Sequence, residues 1–389
     1  MKKQNLNGIR IVDFSWVMAG PMATKMLGAM GAEVIKIESS TRPEFSVRDG
    51  MFSVINNNKR SCTLNITTPE GQDTVRDLVA SSNVVVENFS SRVLVKYGLS
   101  YDELRKVKPD IIFVSASGMG RTGPERDLLA YGSLLQGYSG RVGMIGKPNP
   151  TLEAMGILPA WTDPITALWE TMSILAAIHH WRRTGQGAYV DLSMLEATVS
   201  LLPEALLHAA LGKAVPERRS VTETGAAPSG CFRCAGADEW IALSVRNEPE
   251  WHGLCRAMGD MAPPPDRYLA DDASRYAAKE ELNLLVATWL KSQAASAAEV
   301  ALQDNAVPAA RSRNMGQLIK DRHMWERAMF REIGGHIEMG TLPWLTEDLW
   351  RGDFKPTPAL GADNDYVFGT LLGLSAERRA ELVEAGTIR

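Results

Sequence analysis

An aspartate, Asp163, stands directly before the proline that opens a strongly apolar helical stretch, residues 164–181. One interpretation is an ordinary helix N-cap, because aspartate caps helices well and proline is favoured at the first helical position. The other is a carboxylate nucleophile, which the positive end of the helix dipole would keep ionised. The two interpretations are compatible, since a capping carboxylate can also face a cleft.

The elements that would position Asp163 lie on both sides of it in the sequence. Its helix is followed by the turn TGQG, a strand at residues 189–192 and a helix from Ser193. Upstream, apolar strands alternate with helices, the strands predicted at 9–14, 33–38, 63–66, 84–89 and 110–115, the helices at 21–30, from 69 onward and at 93–107. This rhythm predicts a parallel sheet with helices on both faces, in which ligands bind beyond the carboxyl ends of the strands.

The composition restricts the class of protein. The chain has 389 residues, 45% hydrophobic and 23% charged, which is typical of a soluble globular protein of two or three domains. With a net charge of −4 and no long basic run, nucleic acid is not an expected partner. The first residues do not resemble a signal peptide, and no apolar run reaches the roughly 18 residues of a membrane helix. We therefore expect a cytoplasmic protein with no membrane partner.

Neither a metal site nor a dinucleotide site is expected. Four cysteines fit a reducing compartment. Cys231 and Cys234 have zinc-ligand spacing, with His252 and Cys255 as a second pair, but spacing alone is weak support. We interpret the first pair as strand residues at the entrance to a smaller domain. The first strand–helix turn, residues 15–21, lacks the G-x-G-x-x-G fingerprint of dinucleotide-binding folds.

Several motifs together resemble the class III CoA-transferases, also called the CaiB/BaiF or formyl-CoA transferase family. Around Asp163 these are the acid, its helix, TGQG, YVD and SMLEA; elsewhere they are MAGP at 18–21, NKRS at 58–61, LNI at 64–66, VENF at 86–89 and the glycine-rich SASGMGRTGP at 115–124. The resemblance extends over most of the chain. It implies that Asp163 is the catalytic nucleophile.

The resemblance also implies a set of residues that contact CoA. These are Met18, Ala19, Leu64, Ile66, Thr67, Asn88, Phe89 and Lys96. Leu64, Ile66 and Phe89 would equally suit a plain apolar core, and Lys96 a solvated helix face. A cation at Lys96 would pair with the phosphates of CoA. After Phe89 the chain departs from the family pattern, and Arg92 could supply the cation lost there.

The predicted substrate pocket contains Met18, Met51, Tyr131 and Gly132. Oxalate-using relatives have Gln and Tyr in place of Met18 and Met51, and relatives commonly have Asp or Glu in place of Gly132. The pocket is therefore expected to be roomier and less polar, and to take an apolar or aryl-substituted acid, as in the benzylsuccinate CoA-transferase branch. Both methionines could instead merely pack, since methionine fills irregular gaps.

This set of residues would move CoA between carboxylic acids through a covalent intermediate. Asp163 would attack the thioester of a donor such as succinyl-CoA, forming a mixed anhydride and releasing CoA thiolate. Later steps would return the thiolate and pass CoA to the acceptor acid. Backbone N–H groups of the glycine-rich loop would stabilise the oxyanion. The CoA thioester is a substrate, and no permanently bound cofactor is required.

Two alternatives stay open. An α-methylacyl-CoA racemase needs an acid and a base on opposite faces of the α-carbon. Tyr131 replaces the histidine of that branch, although Glu248 resembles one of its residues. The chain could also be a non-catalytic, CoA-binding subunit of a heteromeric transferase. Retention of Asp163 argues against that role, because an ionised carboxylate is costly to bury.

The resemblance implies an α/β fold with two domains. A large Rossmann-like, CoA-binding domain would comprise residues 1–205 and 330–389, and a smaller inserted α/β domain residues 225–329. Residues 206–224 would link them; at 222–226 the chain lacks the glycine run that shields the intermediate in formyl-CoA relatives. The resemblance further implies an interlocked homodimer, or a heteromer with a related chain.

Overall fold

The computed structural model describes residues 5–39, 50–90, 92–144, 160–213, 225–264, 271–333, 335–346 and 352–389. The described residues form two compact units. The first unit draws on Met1–Gly143, Gly156–Val215 and Trp325–Arg389, and the second on Met144–Met155 and Pro216–Met324. Within the described ranges, no helix is both long enough and apolar enough to cross a membrane.

A parallel sheet forms the centre of the first unit. Its strands are β1 (Arg10–Asp13), β2 (Glu33–Glu38), β3 (Arg60–Thr63), β4 (Val84–Glu87), β5 (Ile112–Ser117) and β6 (Ala188–Ser193). Their order is β3-β2-β1-β4-β5-β6, with every neighbouring pair parallel. In the register, Val12 of β1 lies between Ile35 of β2 and Val85 of β4. The strand order reverses between β1 and β4, which is where doubly wound sheets bind ligands.

Helices connect and cover these strands. They are α1 (Ala19–Ala29), α2 (Met51–Ile55), α3 (Pro69–Ala80), α4 (Val93–Lys96), α5 (Tyr101–Val107), α6 (Gly132–Tyr138), α7 (Arg141–Met144), α8 (Thr162–Thr184), α9 (Met194–Val199) and α10 (Pro203–Ala210). Several begin at residues whose side chains cap the helix. The Thr68 hydroxyl accepts a hydrogen bond from the N–H of Gly71, and the Ser193 hydroxyl accepts one from Glu196.

The second unit contains a small antiparallel sheet and several helices. The elements from there to the C-terminus are β7 (Ser229–Arg233), β8 (Trp240–Ser244), α11 (Glu248–Met258), a 3-10 turn (Gly259–Met261), α12 (Asp272–Ala277), α13 (Lys279–Leu290), α14 (Ala295–Asp304), β9 (Ala309–Arg311), α15 (Met315–Leu318), α16 (Arg322–Glu326), β10 (Phe330–Ile333), β11 (His336–Met339), a π-type helix (Asp365–Leu371) and α17 (Ala376–Glu384). The sheet order is β7-β8-β9. The hydrophobic core of the second unit contains the fully buried Trp251.

The two faces of the large sheet are buried against different helices. Because successive strand residues point to opposite faces, Val12 and Ile35 belong to one core, and Ile11 and Val34 to the other. Side chains of α3, α5 and α17 complete the first core, and those of α1 and α8 complete the second. The predicted α/β architecture with a parallel sheet is therefore confirmed, and α1 and α8 share one face.

Two predicted elements were wrong in their bounds. The helix expected at 93–107 is two helices, because Gly98 has a φ of 64° and Ser100 then caps α5. The strand expected at 63–66 lies earlier, as β3. Hydrogen bonding explains that shift, since Asn65 donates to the carbonyl of Thr387 instead of continuing the ladder with β2.

Candidate active site

Asp163 lies in the first turn of α8 as its second residue. The helix begins at Thr162, and the backbone of Trp161 is already close to helical, so the N-cap interpretation of Asp163 was wrong. The side chain is partly buried. Burial raises the pKa of its carboxyl from 3.8 to about 6, opposed by a hydrogen bond from its own backbone N–H. Asp163 is thus ionised at neutral pH and more basic than a free aspartate.

The carboxylate of Asp163 lies against Gly132, the first residue of α6. A Cβ added to Gly132 would overlap the Oδ2 atom of Asp163. The side chain of Gln136 in α6 links this helix to the start of α8, since its Oε1 accepts a hydrogen bond at 3.1 Å from the N–H of Trp161, the residue before α8. The structure thereby brings together two of the predicted residues. Gly132 is small because the carboxylate occupies the space of its side chain.

The start of α1 reaches the same place through a small apolar cluster. Ala19, the first residue of α1, is buried with Leu135 of α6 and Met194 of α9. Leu135 is one turn along α6 from Gly132. The predicted residue Ala19 therefore packs behind the helix that supports Asp163, and Met18 directly precedes it as the α1 N-cap residue.

A cavity of about 610 Å³ lies at the carboxyl edge of the large sheet. Its wall is formed by residues at or just after the ends of β1 to β5, where ligands bind in such sheets. Six of the predicted residues line it: Leu64, Ile66, Thr67, Asn88, Phe89 and Tyr131. Met194 lines it as well. Asp163 and Gly132 are not among the residues of this wall, but Tyr131, which does line it, directly precedes Gly132 in the chain.

The other predicted residues lie outside the wall of this cavity. Lys96 is exposed, with its Nζ 5.4 Å from the ring centroid of Tyr97, which does line the cavity. Met51 is exposed at the start of α2. The 222–226 segment without the glycine run lies outside the residues that the structure describes, except for Gly225 and Ala226.

Among the wall residues that the sequence analysis did not predict, Trp16 and Arg126 have side chains suited to a ligand. Trp16 packs edge-on against Phe89, with ring centroids 5.8 Å apart, and both line the cavity. Arg126 follows the glycine-rich loop and also lines it, beside Asp127. The available signal for Arg126 was a basic residue two positions after the glycine-rich loop, since guanidinium groups suit phosphates.

A buried network of charges lies beneath the cavity, at the ends of β1 and β4. Burial opposes ionisation of Asp13, but Lys59 at 2.9 Å, Lys36 and two hydroxyl groups outweigh it, and the pKa of Asp13 is lowered. Burial raises the pKa of Glu87 despite its contacts with Arg121 and Ser115. These paired charges hold the strand ends in a fixed arrangement.

One acid of α8 stands apart from that pairing. Glu170 is two helical turns beyond Asp163 and fully buried, and neither carboxyl oxygen has a hydrogen-bond partner among the described residues. Burial, together with the charges of Asp13 and Glu87, raises its pKa to about 8. Glu170 is therefore mostly protonated at neutral pH.

In the described part of the chain, no group of His, Cys, Asp or Glu side chains is arranged to hold a metal ion.

Comparison with known proteins places this geometry among CoA-transferases. A profile described as CoA-transferase family III matches residues 6–364. The succinate–glutarate CoA-transferase of Agrobacterium fabrum is 31% identical over 395 residues, 95% of this chain and 96% of that one. The succinyl-CoA–L-malate CoA-transferase beta subunit of Chloroflexus aurantiacus is 28% identical, over 97% and 96% of the two chains. A CaiB/BaiF family protein from Brucella suis has a similar crystal structure, with a TM-score of 0.85, 26% identity and coverage of 95% and 100%.

Proposed function

The chain belongs to CoA-transferase family III, and we propose that it transfers CoA from an acyl-CoA thioester to a carboxylic acid through an anhydride on Asp163. The partly buried carboxylate of Asp163, held against Gly132 next in the chain to the cavity-lining Tyr131, carries this proposal. It supplies the one ionised carboxylate that such a transfer needs.

Each step of this transfer keeps its atoms in balance. A carboxylate oxygen of Asp163 attacks the thioester carbon, the C–S bond breaks, and CoA leaves as the thiolate. The thiolate then attacks the aspartyl carbonyl of the anhydride, which releases the donor acid and leaves CoA on Asp163. The acceptor carboxylate attacks the carbonyl carbon of this thioester, the C–S bond breaks, and a second anhydride forms as CoA thiolate is released again. Return of the thiolate to the acceptor acyl carbon yields the product and frees Asp163.

The environment of Asp163 suits its role as nucleophile. Below its pKa of about 6 the carboxyl carries a proton and cannot attack; above it the anion is more basic than that of a free aspartate. The partly apolar surroundings that raise the pKa also keep water away from a reactive anhydride. The absence of a side chain at Gly132 provides the space that the Asp163 carboxylate occupies.

We propose that CoA occupies the cavity at the carboxyl edge of the sheet. Its apolar wall, with Leu64, Ile66 and Phe89, would take the pantetheine and adenine, as the resemblance implies. Arg126 in the wall and the exposed Lys96 beside Tyr97 would neutralise the phosphates. Met18 and Ala19 would contact the reacting end, since they lead to the helix packed behind Asp163.

For the substrates, the relatives favour succinyl-CoA as donor and a small dicarboxylic acid as acceptor. Their names specify glutarate and L-malate as partners of succinate or succinyl-CoA. The aryl-substituted acceptor expected from Met18, Met51 and Gly132 stays a prediction. Incubation of the purified chain with succinyl-CoA and a panel of dicarboxylic and aryl acids, followed by mass spectrometry, decides between them. Formation of no new acyl-CoA with any acid would contradict the transferase assignment for the chain alone.

Substitution of Asp163 tests the mechanism directly. Asp163→Ala and Asp163→Asn should each lower turnover by at least about 1,000-fold, because they remove the nucleophile. CoA binding by Asp163→Asn, measured by titration calorimetry, should stay within about threefold of wild type. During wild-type turnover, hydroxylamine should add to the peptide that contains Asp163. Near-wild-type transfer by Asp163→Ala would refute the proposed nucleophile.

The same variants separate the alternatives. If Asp163→Ala instead blocks deuterium exchange at the α-carbon of an acyl-CoA, the racemase alternative replaces the transferase. Glu248, the residue that keeps that alternative open, lies at the start of α11 in the second unit, 3.5 Å from His252. If the purified chain binds CoA and becomes active only when a related chain is added, it is a subunit of a heteromer.

A further inference from the structure

Val17 has an unusual backbone conformation in the turn between β1 and α1. Its φ is 70°, in the left-handed region. Among the described non-glycine residues with positive φ, Val17 is the one with a β-branched side chain. Such a side chain makes that region costly, so the surrounding structure must hold it there.

The amide of Asn88 holds the residue before Val17 on both sides of its backbone. The N–H of Trp16 donates to Oδ1 of Asn88 at 2.7 Å, and Nδ2 of Asn88 donates to the carbonyl of Trp16, also at 2.7 Å. Asn88 itself directly follows β4, the strand beside β1. The two bonds hold the N–H and the carbonyl of one residue, so they restrain the peptide units on both sides of Trp16, including the one that leads into Val17.

Further contacts restrain Ser15, one residue earlier. Nζ of the buried Lys36 donates to the carbonyl of Ser15 at 2.7 Å, and the N–H of Ser15 donates to Asp13 at 2.9 Å. On the other side of the turn, a Cβ on Gly20 would overlap Cβ of Ser15. The turn is therefore held before and after Val17, as a strained residue requires.

This turn lies between the cavity and the support of Asp163. Trp16 lines the cavity, and Ala19 is buried with Leu135 of α6, the helix whose first residue contacts the Asp163 carboxylate. Release of Val17 to an ordinary φ would redirect the chain between these two points. The cavity wall and the start of α1 would then lose their common geometry.

We propose that Asn88 is a positioning residue: its two bonds to Trp16 hold Val17 in the left-handed region and so fix the turn between the cavity and Asp163. The functional part of this proposal rests on the proposed function of the cavity. It differs from the role that the family resemblance implies for Asn88, which is direct contact with CoA.

Glycine at position 17 separates positioning from direct contact, because glycine adopts positive φ at no steric cost. Asn88→Ala should lower kcat/KM about 5- to 150-fold, the range expected when a strained conformation loses its restraint. Adding Val17→Gly should restore kcat/KM to within about threefold of the Val17→Gly single variant. Val17→Ala is the matched control: it removes the β-branch but keeps a Cβ, which still disfavours positive φ, so it should rescue much less than glycine does.

The outcomes either support or overturn the positioning role. Rescue by glycine that is much greater than rescue by alanine supports it. An Asn88→Ala/Val17→Gly variant as impaired as Asn88→Ala, or an Asn88→Ala variant as active as wild type, overturns it. If Asn88→Ala does not fold, Asn88→Asp replaces it, since the carboxylate keeps the bond from the Trp16 N–H and loses the other.

A double-mutant cycle in urea unfolding distinguishes failure of this proposal from failure of the proposed function. The coupling between positions 17 and 88 does not depend on CoA. Should the wild type bind no CoA in titration calorimetry, the function of the cavity is wrong, while a measured coupling still supports the restraint on Val17. Additive changes in the free energy of unfolding, with CoA binding intact, refute the restraint alone.

Discussion

At the scale of single residues, Asp163 combines two demands that pull in opposite directions. A nucleophilic carboxylate must be ionised, whereas a shielded anhydride needs surroundings that disfavour charge. Partial burial meets both: it raises the pKa to about 6, which still leaves the carboxylate ionised at neutral pH. Because Gly132 has no side chain, it leaves space for the carboxylate and adds no second charge beside it.

The raised pKa predicts the pH dependence of the reaction. Because the folded pKa lies above the ordinary value of 3.8, the protonated and inactive form persists up to about pH 6. The value of kcat/KM should therefore rise tenfold per pH unit below pH 6 and level off above it. Initial rates between pH 4.5 and 8.5, with CoA thioester stability measured in parallel, check this. An inflection near pH 4 would mean that Asp163 is as exposed as a free aspartate.

At the scale of elements, the approach of α6 to α8 decides where the Asp163 carboxylate lies. Gln136 joins the helices through the N–H of Trp161, and Leu135 anchors α6 on Ala19. Further along α8, Glu170 is buried near Asp13 and Glu87 at the ends of β1 and β4. Because Glu170 is mostly protonated, it adds no further buried negative charge there. The helix thus carries one acid that is charged at neutral pH and one that is mostly neutral.

The contact between α6 and α8 predicts opposite outcomes for two glycines of α6. Gly132→Ala should lower kcat about 100-fold, because its Cβ would displace the Asp163 carboxylate by an ångström or more. Gly137→Ala is the matched control on the same helix, since no atom lies within 4 Å of its Cβ position. It should stay within about twofold of wild type. Steady-state kinetics, with thermal unfolding of both variants, tests the pair; full activity of Gly132→Ala would contradict the contact.

At the scale of the whole molecule, the first unit has several large apolar side chains that are exposed in the single chain. Helix α10 has no buried residue, although most of its side chains are apolar. Four leucines in and beside it are each at least 49% exposed: Leu201, Leu206, Leu207 and Leu211. Trp161, just before α8, and Leu168 of α8 are also exposed. Exposed apolar side chains grouped on one helix are typical of an interface, and we therefore expect the assembly of two chains that the family resemblance implies.

Light scattering tests the assembly. The wild type should have twice the chain mass of 42.6 kDa, because the exposed leucines would be covered by a second copy. Leu207→Lys should weaken the dimer, since it would place a charge in the interface. Glu204→Lys on the same helix adds the same side chain in place of an exposed polar one and should leave the mass unchanged. A wild-type mass equal to one chain would refute the dimer.

Features that depend on neighbours in the chain could be read from the sequence. Alternating strands and helices predicted the parallel sheet, and the helix starts near residues 69 and 193 were also predicted, because the signals for a helix start lie within about four residues. The place of Asp163 at the start of an apolar helix was compatible with both an N-cap and a nucleophile, and only the family resemblance implied the nucleophile. Six of the residues predicted to lie at the site do line the cavity, because parallel strands end at one edge of the sheet.

Tertiary structure alone decided the features that join distant parts of the chain. The fit of Asp163 to Gly132 and the bond of Asn88 to Trp16 span 31 and 72 residues, and no local pattern reports such contacts. The protonation of Glu170 in α8 depends on its burial near Asp13 of β1 and Glu87 of β4. The conformation of Val17 opposes its own local preference and persists because tertiary hydrogen bonds outweigh that preference. Packing and long-range electrostatics set these properties, since both depend on which segments the fold brings together.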